Sequence, residues 1–292
     1  MGRVSARPIT KVRLIRLVAI GVLAFAVVYG FLIEPCQLTI TTVPVHQGAL
    51  AKILAGRKAI LLSDLHFDER GQDYGRKILR LLKTIRPDII FLTGDYVKWG
   101  SRAAAYETAI TFLSQLSAPL GVYAVMGDAD TTYSRKSCEF CHEPESNALT
   151  RRHEVTFLKN SRQLIRTGQG EFLLGGVDAE PDYTNTLFLD KIINTDLPMI
   201  LLAHSSLAYK PIGKEHEILV LSGDTHGGQV RLPRWFWLLT GRKPDPDHIY
   251  GFYQEGKKAL FVTRGVGTSW PPLRLGEPPE IVVLEFGVEE IP

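Results

Sequence analysis

The chain has 292 residues, of which 45% are hydrophobic and 22% charged, the composition of a folded globular protein and not of a disordered or fibrous one. Its formal charge of +3 is unevenly spread: five of the 34 basic residues lie in the first sixteen positions, leaving 29 basic against 31 acidic residues elsewhere. The body of the chain is therefore not polybasic, which argues against nucleic acid as a partner, and three cysteines are too few for a disulfide scaffold of this length.

The five basic residues (Arg3, Arg7, Lys11, Arg13, Arg16) precede an uncharged apolar run from Leu17 to Ile33. At 1.5 Å per residue such a helix is just long enough for a hydrocarbon layer of roughly 30 Å, with some thinning or snorkelling. The next basic residue is Lys52, so the charge asymmetry predicts a cytoplasmic N-terminus and everything after residue 34 outside. A cleaved signal peptide is the alternative, and Ala24-Phe25-Ala26 meets the small-x-small rule. The apolar residues VVYGFLI follow where a polar cleavage region should begin, which favours an uncleaved anchor. The expected organisation is a cytoplasmic basic segment (1–16), a single-pass anchor in the inner membrane bilayer (17–33), a connector (34–57) and one domain (58–292) on the periplasmic or extracellular side.

Beyond residue 38 the chain repeats one device, a short apolar run that ends in a polar or acidic residue. KAILLSD (58–64), DIIFLTGD (88–95), GVYAVMGD (121–128), EFLLGGVD (171–178), PMILLAH (198–204) and EILVLSGD (217–224) share it, and ALFVTRG (259–265) and EIVVLEF (280–286) extend the series. Near-continuous apolar runs of this length predict strands buried on both faces of a sheet. Between the first three lie helical patterns, one carrying Ile78, Leu79, Leu81, Leu82 and Ile85 and stopping at Pro87, the other over 103–117. The alternation predicts a layered α/β sandwich.

Ligand sites in such sheets form at the carboxyl ends of strands. Asp64, Asp95, Asp128, His204 and Asp224 each fall at or just past a predicted strand end, with His66 and His226 two residues behind an aspartate. One such aspartate is usually a turn or helix cap, but five such ends in one sheet system are not explained by capping. Carboxylates and imidazoles gathered in one crevice would repel and desolvate one another unless cations neutralised them, so metal binding is the simplest reading.

The order Asp-x-His (Asp64, His66), Gly-Asp (Gly94, Asp95), a Gly-Asn-His-Asp equivalent, a lone histidine (His204) and a Gly-His-x-His equivalent resembles the calcineurin-like metallophosphoesterases over residues 58–286. It is closest to their membrane-anchored bacterial branch, through THGGQVRLP (225–233) and VTRGVGTSWPPLRLGEPPEI (262–281). The resemblance implies an α/β/β/α four-layer sandwich with two divalent metals. One would be held by Asp64, His66, Asp95 and His226, and the other by Asp95 as the bridge, His204, and the positions occupied by Asp128 and Asp224. It also implies hydrolysis of a phosphoester by a metal-bound hydroxide.

Three positions depart from the family pattern. Its Gly-Asn-His-Asp is here Gly127-Asp128-Ala129-Asp130, and its Gly-His-x-His is Gly223-Asp224-Thr225-His226. An amide and an imidazole are thus replaced by aspartates, and the histidine that would assist the leaving group is Ala129; a lost general acid costs on the order of 10²–10⁴ in rate. Two divalent cations with the usual two aspartates carry about +2, whereas four aspartates bring the site to about zero and weaken its attraction for a phosphate dianion. This predicts a phosphodiester or pyrophosphate substrate and Mn or Mg (or one iron) over Zn in the second site, while the expected location favours a lipid-linked or cell-envelope substrate. Arg264, in the matching VTRG segment, is a candidate phosphate contact. The alternatives are a UDP-2,3-diacylglucosamine hydrolase of lipid A synthesis, whose cytoplasmic substrate conflicts with the expected topology, and a catalytically silent metal-binding protein.

Smaller signals remain. Cys138-Glu-Phe-Cys141-His142 sits in a polar insertion beside the expected site, where a loop disulfide is favoured over haem attachment. His142 or His153 could stand in for the imidazole missing at Ala129, against a surface role for both. Trp235, Phe236, Trp237 and Leu238, flanked by Arg231, Arg234, Arg242 and Lys243, suit either a membrane interface or packing on the domain itself.

Overall fold

The computed structural model describes residues 11–46, 48–69, 71–101, 103–130, 140, 152–177, 186–233, 235–236 and 245–287. Helix α1 (Lys11–Val28) continues through one π turn (Tyr29–Ile33) and one 3-10 turn (Glu34–Cys36), and none of its residues from 11 to 28 is buried. With a mean hydropathy of 2.4 it is long and apolar enough to cross a membrane. Among the described residues it already includes Lys11, Arg13 and Arg16, ahead of the apolar run, because Lys and Arg are themselves good helix formers.

The chain then forms β1 (Thr39–Val45), α2 (Gly48–Ile53), β2 (Lys58–Leu62), α3 (Gln72–Ile85), β3 (Ile89–Leu92), α4 (Ala103–Leu113), β4 (Val122–Ala124), β5 (Thr156–Phe157), β6 (Ser161–Thr167) and β7 (Gly170–Val177). There follow α5 (Thr186–Ile193), β8 (Met199–Ala203), β9 (Ile218–Ser222), β10 (Gly251–Glu255), β11 (Lys258–Val262) and β12 (Glu280–Phe286). Each of the eight short apolar runs beyond residue 38 forms a strand. Two six-stranded sheets result, in the orders β1-β12-β2-β3-β4-β5 and β10-β11-β9-β8-β7-β6. Parallel pairing joins β2, β3 and β4 in one and β7, β8, β9 and β11 in the other, which aligns their carboxyl ends.

Alternation inside each run explains the layers, since successive side chains point to opposite faces. Leu61, Phe91, Leu202, Leu219 and Leu284 fill the space between the sheets. Ile60, Leu62, Ile90 and Leu92 face outward onto Ile78, Leu79 and Leu82 of α3 and Phe112 and Leu113 of α4. On the far side Leu201, Val220 and Leu260 meet Ile192 and Ile193 of α5. This is the expected α/β/β/α sandwich.

One expectation is corrected. Residues 34–57 are not a free connector: β1 pairs in parallel with β12, from Thr39 opposite Glu280 to Val45 opposite Phe286, and α2 supplies buried Leu50 and Ile53 to the core between the sheets. The partner strand lies some 240 residues away, so no local pattern announces it. Strands β5, β6 and β10 were also unannounced, because their largely exposed residues make no apolar run.

Candidate metal centre

Strands β2, β3, β4, β8 and β9 deliver Asp64 and His66, Asp95, Asp128, His204, and Asp224 and His226 to one end of the two sheets. The connecting turns interlock. Asp64 N donates to Gly94 O and His66 N to Asp95 O, both at 2.9 Å, while Ala129 N donates to Asp95 Oδ1 at 3.0 Å and Asp224 N to Asp64 Oδ1 at 3.1 Å. Asp64, His66, Asp95, Asp224 and His226 all have left-handed backbone, with φ between 44° and 71°. Asp and His tolerate that region better than most residues, and such conformations gather where the surrounding fold dictates them. Glycine is required at 127, where a Cβ would collide with the Asp95 carboxylate.

The donor atoms face one another. His66 Nε2 and His226 Nε2 are 3.1 Å apart, His66 Nε2 lies 3.5 Å from Asp95 Oδ2, and His226 Nε2 lies 3.7 Å from Asp64 Oδ1. His204 Nε2 lies 3.4 Å from Asp95 Oδ1 and 3.6 Å from Asp128 Oδ1. Two ligands about 2.1 Å from one ion stand about 3.0 Å apart at a right angle and about 3.4 Å apart at a tetrahedral angle, so these separations fit cation coordination. Asp64, His66 and His226 form one group able to hold a cation, and Asp64, Asp95 and His204 another. Asp95 turns one oxygen to each side.

The His204 imidazole supports the same reading. His204 Nδ1 lies 2.7 Å from Thr93 O, an acceptor only, so Nδ1 carries a proton, and among the described residues the buried Nε2 finds no hydrogen-bond partner. The Thr93 carbonyl thereby turns His204 Nε2 inward, as second-sphere carbonyls orient metal-ligating histidines.

Protons are poor substitutes for a cation here. Burial lowers His66, and burial with the His66 charge holds His226 well below its ordinary value. Burial pushes Asp95 well above the carboxylate range and Asp224 up to about 6. His204 behaves oppositely: burial would lower it, but the aspartates around it outweigh burial and hold it well above its usual value, and it in turn holds Asp128 below the usual range. A multivalent cation would relieve these opposed pressures together, since it favours ionised carboxylates and neutral imidazoles.

A cavity of about 260 Å³ opens over the cluster, lined by His66, Asp95, Asp128, Asp224 and His226 with Ala129, Trp99, Gln229, Ile249 and Ser269 among others. Among the described residues, no lysine or arginine lines it. Arg264 is corrected accordingly: its guanidinium is directed away from the cavity, bonding Glu280 Oε2 through Nε and Nη2 and Thr41 Oγ1 at 3.1 Å, above the Tyr250 ring. Its charge is matched by the buried Glu280 carboxylate. His153 does not replace the imidazole missing at Ala129; its ring bonds Phe140 O and lies against Phe157. Cys138, Cys141 and His142 lie outside the described residues, as does Trp237. Trp235 is 60% exposed and Phe236 36%, and their rings meet edge to face.

One residue of the centre escaped the sequence reading. Asp130 is fully buried, and its carboxylate accepts from the backbone N–H groups of Asp95, Tyr96, Val97 and Gly127 at 2.7–3.3 Å. It ties the turn after β3 to the turn after β4 and so positions Asp95. The available signal was its place in the Gly-Asp-Ala-Asp string.

Comparison with known proteins agrees with this geometry. The sequence profile of the calcineurin-like phosphoesterase family matches residues 57–220. The metallophosphoesterase YkuE of Bacillus subtilis is 28% identical over 91% of this chain and 92% of its own. The UDP-2,3-diacylglucosamine pyrophosphatase LpxG of Chlamydia muridarum is 25% identical over 79% of this chain and 84% of its own. A transmembrane protein with metallophosphoesterase domain from Bos taurus is 30% identical over 86% of this chain and 57% of its own. With aspartates and histidines gathered at aligned strand ends of a double-sheet sandwich, the chain belongs to the calcineurin-like phosphoesterase family and is a hydrolase acting on phosphoester bonds.

Proposed function

We propose that the chain hydrolyses a phosphodiester or pyrophosphate bond of a lipid-linked or cell-envelope substrate, with two divalent cations held by Asp64, His66, Asp95, Asp128, His204, Asp224 and His226. The carrying observation is the charge of the cavity, which has four aspartates converging on it or beneath it and, among the described residues, no lysine or arginine in its lining. Bound divalent cations supply polarisation of the phosphoryl oxygens and acidification of water. Four carboxylates cancel most of their charge, which favours a monoanionic phosphoryl group over a monoester dianion. Carboxylate and imidazole donors together suit Mn or Mg. Ala129 has no proton to give, which favours leaving groups that depart as stable anions, as the phosphate of a pyrophosphate does.

The helix α1 supports anchoring in a bilayer, and the basic residues before it support a cytoplasmic N-terminus with the sandwich on the other side. A second reading, hydrolysis of UDP-2,3-diacylglucosamine, draws on the similarity to the Chlamydia muridarum pyrophosphatase and requires the sandwich to face the cytoplasm. A reporter fused after residue 292 separates the two.

The test is hydrolysis of bis-p-nitrophenyl phosphate and p-nitrophenyl phosphate by the full chain in detergent, with Mn, Mg or Zn, beside Asp95→Asn. Faster turnover of the diester with Mn or Mg, abolished in the variant, is expected. Equal or better turnover of the monoester with zinc alone overturns the reading, and bound metal without any turnover assigns the chain a silent binding role.

A further inference from the structure

We propose that the rim of the cavity is a membrane-docking surface, in which Trp99 and Trp270 sit in the interfacial layer of the bilayer that α1 spans. This rests on the reading of α1 as an anchor. The argument begins at Gly30, which is buried against the loop that follows Trp270. Arg274 N donates to Gly30 O at 2.9 Å, and a Cβ on Gly30 would collide with the Leu273 side chain. Only Phe31, Leu32 and Ile33 separate this contact from buried Glu34, and all three remain exposed. The loop therefore meets the helix in its last apolar turn, at the depth where hydrocarbon gives way to headgroups.

That loop is joined rigidly to the metal centre. The guanidinium of Arg274 is fully buried and donates to the carbonyls of Arg264 at 2.7 Å, Glu277 at 2.8 Å and Gly267. Gly267 N in turn donates to Asp64 O at 2.6 Å. Ser269, which lines the cavity, is four residues from Leu273 and so within about 14 Å of it along the chain, and Trp270 is within about 10 Å. The headgroup layer on each side of the hydrocarbon is roughly 5–7 Å thick. Trp270 is 85% exposed and Trp99, on the cavity wall, is 69% exposed. Tryptophan is the side chain that this layer favours, with its apolar face in lipid and its N–H toward water. A bilayer is the occupant that fits because the helix already places one within reach of the Trp270 ring, and Trp99 lines the same cavity as its neighbour Ser269.

The test uses the full chain in phosphatidylcholine vesicles, in two single-tryptophan forms. One carries Trp99→Phe, Trp235→Phe and Trp237→Phe, and the other Trp235→Phe, Trp237→Phe and Trp270→Phe. Melting temperatures close to that of the parent check that both fold. Brominated phosphatidylcholine should quench the emission of each by about twofold, as expected of an interfacial indole, while aqueous iodide has little effect. Iodide quenching without bromolipid quenching, in a chain that resists alkaline carbonate extraction, overturns the docking surface while the anchor stands. Shielding from both quenchers that is lost on dilution assigns the rim to a second copy and likewise overturns it. Release by carbonate overturns the anchor reading and the proposal together.

Discussion

Arg264 can be tested as a structural cation or as a phosphate ligand, because the two roles predict opposite behaviour of its partner. Glu280 is fully buried and receives the guanidinium through Nε at 3.1 Å and through Nη2, the Arg264 backbone N–H at 2.9 Å, and the hydroxyls of Thr263 and Thr41 at 2.9 and 2.6 Å. Glu280→Gln preserves shape and the bonds to Oε1, but replaces the oxygen facing the guanidinium with an amide NH2. Two charge-assisted hydrogen bonds are lost, each worth about 1.5–3 kcal/mol, and a buried cation is left with Glu277 at 3.9 Å as its nearest remaining carboxylate. Breaking a buried pair from one side costs about 3–5 kcal/mol, and removing both partners together is often nearly neutral. Arg264→Met and Glu280→Gln should each lower the melting temperature of the full chain in detergent by roughly 6–20 °C, at about 2–4 °C per kcal/mol for a domain of this size. The double variant should recover most of that loss, a coupling that only contacting residues show. Arg264→Met that melts like the parent but raises KM for the diester at least tenfold would refute the structural assignment and restore the phosphate contact.

Two further outcomes are expected. Ala129→His places an imidazole on the cavity wall beside Asp128, and should raise kcat for substrates with poor leaving groups by about 10²–10⁴-fold, the effect of one general acid, with little change for p-nitrophenolate esters; steady-state rates on paired substrates measure it, and equal gains on both would count against a proton-donor role. Asp245 is buried, with His248 Nδ1 at 2.6 Å and Lys210 Nζ at 2.9 Å; burial alone would raise its carboxyl, but these partners outweigh it and hold the value below 3.8. A carboxyl depressed on folding contributes stability above its unfolded value and loses it as pH falls through the folded one. Asp245→Asn should therefore melt about 3–12 °C lower near neutral pH, for a charged hydrogen-bond loss of about 1.5–3 kcal/mol, and the gap should close only below pH 3.8. A gap that closes at higher pH would contradict the depressed carboxyl.

What the chain reveals by itself is whatever depends on near neighbours. Eight apolar runs predicted eight strands because burial on both faces is written into consecutive residues, and the acids that end those runs marked the carboxyl edge where the centre lies. The exposed apolar rod of α1 was legible for the same reason: seventeen uncharged residues in succession leave a helix nothing to do in water. Tertiary structure decided the rest, wherever two groups meet across a long loop. The connector became an edge strand because β12 returns beside it, Arg264 is held by Glu280 because that strand brings the carboxylate to it, and Gly30 joins α1's C-terminal extension to a loop near residue 274. Asp130 shows the boundary between the two kinds of information. Its position beside Asp128 was visible in the string, but its four backbone donors come from two different turns, and only the folded sheet brings those turns to one carboxylate.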